Sequence, residues 1–202
     1  DKASLIYLWG YGVNQAVVPL AENAKFPIAA VTAERNVATG KEYAFRFCYD
    51  GDQIARALLT YVRHQGFKRL AAIKTAIAFN NGIYDGMKAN LKSDESLELI
   101  DDFQPDDNDF KVSIAKLRSK NFDSVGVLLL TGQLSQFYRQ KGSFQLNTPT
   151  FGTDMMDSVS EVKQSNGTMD GTVFAAQYID PAFVVRYRKT FGNDVQVSMA
   201  GN

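Results

Sequence analysis

Stretches with helical periodicity alternate with short apolar runs along almost the whole chain. Between residues 107 and 130, Phe110, Ile114 and Leu117 recur at a spacing that places them on one helix face, and the apolar run 124–130 follows directly. A run that is continuously apolar is typical of a strand buried on both faces, as in a parallel sheet. Repeated βα units of this kind predict an α/β fold with mostly parallel sheets and right-handed crossovers.

The same pattern continues on both sides of this stretch. Apolar runs predict strands at 4–9, 26–31, 69–76, 97–103, 124–130, 148–154 and 171–178. Helical periodicity predicts helices at 14–25, 52–66, 80–92, 110–120, 132–142, 157–164 and 181–192. The stretch 32–52 shows no clear helical periodicity, and it is the first candidate for a link between two lobes.

Composition and charge argue against several classes of partner. The chain has 202 residues, with 22 Lys plus Arg and 22 Asp plus Glu, so its charge gives no reason to expect nucleic acid or an acidic membrane as a partner. No apolar run approaches the roughly 18 residues that a membrane span needs. Cys48 is the only cysteine, so no intrachain disulfide is expected, which fits a cytosolic protein or a bacterial exported protein without disulfides.

No motif in the sequence predicts an enzyme, a cofactor or a metal site. Residues 10–15 (GYGVNQ) follow a strand but carry Gln15 where a dinucleotide-binding loop needs its third glycine, so an ordinary turn is favoured. His64 is the only histidine, and no metal-binding partner lies at a typical spacing from Cys48. The acidic stretch 101–109 lacks the glycine and the terminal glutamate of an EF-hand calcium loop, which favours helix capping and a solvated loop.

Several stretches, taken together, resemble one known family. They are PLAENAKFPIAAVTAERN (19–36), FRFCYDGDQIARALLTYVRHQGFKRLAAI (45–73), FNNGIYDGMKANLK (79–92), DNDFKVSIAKLRSKNFDSVGVLL (107–129), PTFGTDMMDSV (149–159) and GTVFAAQYIDPAFVVRYRKTFG (171–192). They resemble the type I periplasmic solute-binding proteins, in particular the branched-chain amino acid (Leu/Ile/Val) receptors of ABC transporters. The stretch 107–129 is the most specific match.

The resemblance implies a periplasmic binding protein type I fold, which is α/β with two doubly wound, mostly parallel-sheet lobes. Residues 1–49 are expected to form part of the first lobe, residues 50–178 the second lobe, and residues 179–202 a return into the first lobe. The first lobe is expected to be incomplete, because the family's first two βα units and its final helices have no counterpart here. Strand carboxyl ends would face a cleft between the lobes. Open α/β sheets bind ligands at this edge, and in this family the two lobes close about hinge strands.

One group of candidate ligand-binding residues follows the first strand. Gly12, Val13 and Asn14 match the family loop that offers hydroxyls and main-chain N–H groups to an amino acid carboxylate. This chain lacks the family's Ser or Thr at those positions. The start of the next helix still supplies N–H groups and a partial positive charge for an anion. The alternative is an ordinary strand-to-helix turn.

Four further residues match ligand positions of the family. Ala33 and Arg35 fall in its second ligand loop, where Arg35 is a candidate for bidentate binding of a carboxylate, unless it is simply an exposed loop arginine. Phe79 falls where the family has a tyrosine, so it is expected to contact an apolar ligand group, unless it is a core residue. Asp154 falls where amino acid receptors hold the ligand's ammonium group, the alternative being an N-cap.

The implied function is capture of a small solute, an amino acid or a related carboxylate, for uptake by an ABC transporter. The partner would be the transporter's membrane permease, and the location the periplasm, with an extracytoplasmic lipoprotein as a variant. One alternative is a ligand-sensing regulatory domain of the same fold that signals to a partner protein. A flavodoxin-like enzyme or regulator would need a cofactor or phospho-acceptor site at a switch point, and the sequence offers neither.

Overall fold

The computed structural model describes residues 3–193, which contain two parallel β-sheets. The first sheet has three strands in the order β1-β2-β3, all from the N-terminal part of the chain. Its elements are β1 (Ile6–Trp9), α1 (Tyr11–Ala24), β2 (Ile28–Val31), a short 3-10 turn (Arg35–Val37) and β3 (Ala44–Arg46).

The second sheet has five strands in the order β5-β4-β6-β7-β8, and every neighbouring pair is parallel. The winding direction reverses between β4 and β6, which places a topological switch point at their carboxyl ends. The elements are α2 (Gly51–His64), β4 (Arg69–Thr75), α3 (Ala78–Ala89), β5 (Ser96–Phe103), α4 (Lys111–Arg118), β6 (Ser124–Leu128), α5 (Leu134–Ser143), β7 (Thr150–Thr153), a 3-10 turn (Asp154–Asp157), α6 (Val159–Gln164), β8 (Val173–Ala175) and α7 (Pro181–Phe191).

Each of the seven predicted strands lies in one of the two sheets, with bounds that are mostly shorter than predicted. The stretch 32–52, for which no regular element was predicted, contains the first 3-10 turn and β3. β3 has only three residues, too few for a recognisable pattern. The predicted α/β fold with parallel sheets is confirmed.

The predicted chain segments follow the division into sheets. Strands β1 to β3 fall within residues 1–49, and β4 to β8 fall within residues 50–178. Helix α7 falls within residues 179–202, and none of its residues is buried. The outer ends of the first and third segments, residues 1–2 and 194–202, lie outside the described residues. The segment bounds themselves remain a prediction.

Helices cover both faces of the second sheet. On one face, Phe110, Phe137 and Tyr138 are fully buried, and successive ring centroids lie 5.8 and 5.3 Å apart at nearly perpendicular angles. On the other face, Leu58 of α2 and Met87 of α3 pack against the sheet. Burial of one such side chain contributes about 1.5–3 kcal/mol. The second lobe therefore has a two-sided core of its own.

Only one face of the first sheet is covered by the described residues. Val18 and Ala21 of α1 pack against that face. Tyr7, Trp9 and Phe45 lie on the opposite face and are 60%, 51% and 52% exposed. Parallel sheets are normally covered on both faces. The bare face agrees with the predicted incomplete first lobe.

An ion pair between α2 and the segment before β5 makes the fold sensitive to acid. Arg63 donates from Nε and Nη2 to the two carboxylate oxygens of Glu95, at 2.7 and 2.8 Å, and the Glu95 side chain is 6% exposed. These hydrogen bonds lower the pKa of Glu95 from 4.5 to about 2. Because the folded-state pKa lies below the unfolded one, the stabilisation is present above about pH 4.5 and is lost as the pH falls toward 2.

Replacing Glu95 with glutamine is expected to lower the free energy of unfolding at pH 7 by about 2 kcal/mol and to flatten its decline between pH 5 and pH 3. Urea titrations over that range measure both effects. Glu98→Gln is the matched control, because the ion pair of Glu98 with Lys120 is 46% and 48% exposed and contributes little. Equal losses from the two variants would contradict the prediction.

Candidate functional site

A cavity of about 300 Å³ lies where loops of the two sheets meet. Its walls come from residues 9–11 and 31–34 of the first lobe, 48–49 between the sheets, and 77–79 and 154–155 of the second lobe. Four of these segments lie at the carboxyl ends of β1, β2, β4 and β7. Open α/β sheets bind ligands at this edge, so this cavity is the candidate site.

Two helices begin at the cavity without a side chain that caps them. α1 begins after Gly10 and α3 after Ile77, and neither has a side-chain cap or an acidic residue in its first turn. The first N–H groups of such helices lack intrahelical partners, and the helix dipole places about +0.5 charge there. α2 differs, because the Asp50 carboxylate accepts from the Gln53 N–H at 2.9 Å. The cavity therefore receives two helix ends suited to an anion, one from each lobe.

Gly10 allows β1 to turn directly into α1. Its φ is 95°, in a region that residues with a Cβ rarely adopt. Its N–H donates to the Val31 carbonyl at 3.0 Å, which ties this turn to the end of β2. The turn brings Trp9 and Tyr11, on either side of it, into the cavity wall.

Asp154 follows β7 and forms part of the second-lobe wall. It is 4% exposed and accepts a hydrogen bond from the Tyr49 hydroxyl. Burial raises the pKa of the Asp154 carboxyl, and the Tyr49 hydrogen bond offsets part of this rise. Burial and the contact with Asp154 also raise the pKa of Tyr49. The Tyr49 ring lies 6.4 Å from the Phe79 ring at an angle of 54°, so the three side chains form one corner of the cavity.

The cavity combines aromatic rings with carboxylates. Its aromatic wall residues are Trp9, Tyr11, Tyr49 and Phe79. Its acidic residues are Asp154 and Glu34, and Glu34 accepts a hydrogen bond from the Thr32 hydroxyl. None of the described residues that line it is Lys, Arg or His. A ligand's apolar and cationic groups would thus contact rings and carboxylates, and an anionic group would meet the helix ends.

Three of the predicted site residues, Ala33, Phe79 and Asp154, line this cavity together. The alternative role of Asp154, as N-cap of the helix that follows, belongs instead to Ser158, whose hydroxyl accepts from the Glu161 N–H at 3.5 Å. Thr153 caps the 3-10 turn between them. The placement agrees with a ligand-binding role for the three residues, and that role itself stays a prediction.

Arg35 lies outside the cavity wall. Its guanidinium pairs with the buried carboxylate of Asp50, while 64% of the Arg35 side chain is exposed. It lines a neighbouring hollow of about 310 Å³, which shares Ala33, Glu34, Ala78 and Phe79 with the cavity. The guanidinium therefore already has a carboxylate partner within the protein.

Gly12, Val13 and Asn14 also lie outside the cavity wall. α1 begins at Tyr11, three residues before its predicted start, so these residues fall in its first turn rather than in a loop. The Asn14 side chain is buried and donates to the main-chain carbonyls of Leu8 and Gly10, at 3.2 and 2.8 Å, which stabilises the turn. The side chains of this region that reach the cavity are those of Trp9 and Tyr11, slightly earlier in the chain.

Several wall residues were not predicted from the sequence, among them Trp9, Tyr11, Glu34, Tyr49 and Met155. Trp9 and Tyr11 flank a glycine directly after a strand, a signal that could have located them. Glu34 lies between the two predicted residues Ala33 and Arg35. Tyr49 lies in the stretch without periodicity, and nothing in the sequence indicates its partner.

A larger cavity, of about 540 Å³, lies between residues 46–49, α2 and residues 175–177. Arg46 lines it, but its guanidinium donates to the carbonyl oxygens of Thr32, at 3.2 Å, and Cys48. Its wall residues from α2 are Gln53, Ile54 and Ala57, and the start of that helix is already capped by the Asp50 side chain. This cavity therefore offers fewer groups for ligand recognition than the one between the strand ends.

Two parallel β-sheets with packed helices, whose strand ends line one shared cavity, are typical of a two-lobed binding protein. The family model described as "periplasmic binding protein" matches residues 2–202. The chain belongs to the periplasmic binding protein family. Among the described residues, no helix combines the length and apolar character needed to span a bilayer.

Known proteins of this kind are similar to the chain in sequence and fold. It is 25% identical over 180 residues to a Leu/Ile/Val-binding protein of Rhizobium johnstonii, across 82% of this chain and 49% of that protein. A leucine binding protein from Thermotoga maritima has a TM-score of 0.81 at 18% identity, over 96% of this chain and 59% of that one. A solute binding protein from R. palustris, in complex with benzoate, has a TM-score of 0.79 at 20% identity, over 98% and 60%. The chain thus spans about half the length of the curated relative it matches, and the structural likenesses confirm the type I fold.

Proposed function

We propose that the chain belongs to an extracytoplasmic receptor that captures an amino acid or a related carboxylate between two lobes for uptake by an ABC transporter. The observation that carries this proposal is the cavity of about 300 Å³ whose walls combine strand ends of both sheets. Ligands that contact both lobes favour the closed arrangement, which couples binding to a change of shape. The relatives named for Leu/Ile/Val and for benzoate support a small solute that carries a carboxylate.

Each part of such a ligand has a counterpart in the cavity. Its carboxylate would lie at the starts of α1 and α3, where the first main-chain N–H groups, including those of the wall residues Tyr11 and Ala78, lack helical partners. Its ammonium group would pair with Asp154, and its apolar part would contact Phe79 and Ala33. These assignments use charge and position at the strand ends, and they account for both signs of charge in an amino acid.

The proposed partner is the membrane permease of the transporter, and the proposed location is the periplasm. Membership of the periplasmic binding protein family supports both. Several structural neighbours are described as ABC-transporter proteins, including one with bound valine and one with isoleucine. These neighbours favour transport over the alternative of a ligand-sensing regulatory domain.

A ligand screen with two independent readouts tests the proposal. L-leucine, L-isoleucine, L-valine and benzoate are added separately to the 202-residue chain, with glucose as the uncharged control. A true ligand at a hundredfold excess over its Kd is expected to raise the free energy of unfolding by about 2.7 kcal/mol. Thermal unfolding measures this rise.

Cys48 provides the second readout, because it is the only cysteine of the chain and lines the cavity. A bound solute is expected to slow its reaction with a maleimide by restricting access to the thiol. Glucose should leave both the melting temperature and the labelling rate unchanged. Failure of all four charged compounds to change either measurement would contradict the proposed ligand class.

A further inference from the structure

Tyr49 connects the segment between the two sheets with the second-lobe wall of the cavity. It lies between β3 and α2, and its hydroxyl donates to Asp154, 105 residues further along the chain. Its ring also contacts Phe79 at the start of α3. One side chain thus touches two wall residues from two different elements.

Packing alone does not account for the Tyr49 hydroxyl. A phenylalanine would fill almost the same space against Phe79, without a partly buried O–H that needs a partner. A hydroxyl that donates to a carboxylate favours the ionised form of that carboxylate and fixes its orientation. The contact with Asp154 therefore points to a role in the site.

We infer, on the basis of the proposed function, that Tyr49 is a positioning residue, which holds the Asp154 carboxylate in the cavity wall in the ionised form that a positively charged ligand group requires. Tyr49 acts through Asp154 and does not need to contact the ligand. The hydrogen bond comes from the segment that joins the lobes, so the orientation of Asp154 depends on that segment as well as on its own turn.

Several influences near Asp154 oppose its ionisation. Burial and the nearby Asp157 both raise the pKa of Asp154. Glu34 adds a second acidic side chain to the same cavity, and burial raises the pKa of the Cys48 thiol, which keeps it neutral at pH 7. The Tyr49 hydrogen bond opposes these effects, as do main-chain N–H groups at the start of the 3-10 turn.

The first test needs no ligand. Tyr49→Phe keeps the ring and removes the hydroxyl, and it is expected to raise the pKa of Asp154 by about one pH unit. Carbon-13 NMR titration of the carboxyl measures this change, and the signal is assigned by its loss in Asp154→Asn. Tyr84→Phe is the control, because the buried Tyr84 interacts with the backbone of Leu99 on β5. An unchanged Asp154 pKa in Tyr49→Phe would overturn the inference.

The second test uses L-leucine as the probe. Tyr49→Phe is expected to weaken its binding by a larger factor at pH 6 than at pH 8, because loss of the hydrogen bond raises the pH range in which Asp154 ionises. In an Asp154→Asn background the same change should have little effect. An equal loss of affinity at both pH values would overturn the inference. So would a loss from Tyr49→Phe that is as large in the Asp154→Asn background as in the unmodified protein. If L-leucine does not bind the unmodified chain, its assignment as a ligand fails, while the carboxyl titration still decides the role of Tyr49.

Discussion

Replacing Gly51 with alanine is expected to lower the free energy of unfolding by about 3 kcal/mol. Gly51 is the first residue of α2, and a Cβ built there would lie 2.5 Å from the carbonyl carbon of Gly82 and 2.7 Å from the Ile83 nitrogen. Both atoms belong to the backbone of α3, which has no rotamer that moves them aside. The two helices would have to separate, and they share one core on a face of the second sheet.

The same helix contact provides a matched control. A Cβ at Gly82 would have the Gly51 Cα, at 4.0 Å, as its nearest neighbour, so Gly82→Ala fits without displacement. Because Gly82 lies inside α3, alanine there is expected to stabilise the protein by about 1 kcal/mol. Urea unfolding of the two variants measures these opposite effects. Similar changes in both would show that the helices are not in close contact at this point.

Gly51 also shows which part of the fold a sequence pattern does not predict. The strands of the second lobe are predictable because strands buried on both faces, such as β6, are continuously apolar. Its helices are predictable because their apolar residues recur with helical spacing. Gly51, which follows Asp50, has the same appearance as any residue at a helix start. Its close contact with Gly82 arises only when α2 and α3 pack together, and no local pattern encodes that distance.

The sequence predicts those residues of the site that follow the carboxyl end of a strand. Phe79 and Asp154 lie near the carboxyl ends of β4 and β7, and both the resemblance and the general rule for α/β sheets direct attention to those positions. The polar Asn14 marks the predicted start of α1, which puts the preceding residues in a loop. The helix starts earlier because Gly10, with its positive φ, ends β1 abruptly. Tyr49 could not be predicted, because its role depends on a residue far along the chain.

The largest expected effect on binding comes from Asp154→Asn. Its affinity for L-leucine at pH 7 is expected to fall by about 30-fold or more, since removal of one partner from a buried charge pair costs about 2–5 kcal/mol. Asparagine keeps the size of the side chain and an oxygen that accepts from the Tyr49 hydroxyl. Only the negative charge that would attract the ligand's ammonium group is lost. Isothermal titration calorimetry measures the change.

Two comparisons separate this effect from a general loss of charge. Asp157→Asn removes a carboxylate from the same 3-10 turn but outside the cavity wall, so it should leave L-leucine affinity nearly unchanged. Benzoate has no ammonium group, so Asp154→Asn is expected to preserve or strengthen any benzoate binding by removing a repulsive charge. Equal losses of L-leucine binding in the two variants would contradict a specific pairing with Asp154.

The unliganded Asp154→Asn variant is expected to be at least as stable as the unmodified protein at pH 7. Burial raises the pKa of Asp154 in the folded state above 3.8, so the folded state holds this proton more tightly than the unfolded state does. Stability is therefore lost as the pH rises from the unfolded pKa through the folded one, and asparagine avoids this loss. The advantage should shrink toward pH 4, which urea titrations at both pH values measure. A variant that lost stability as well as binding would assign Asp154 to the structure of the lobe rather than to its ligand.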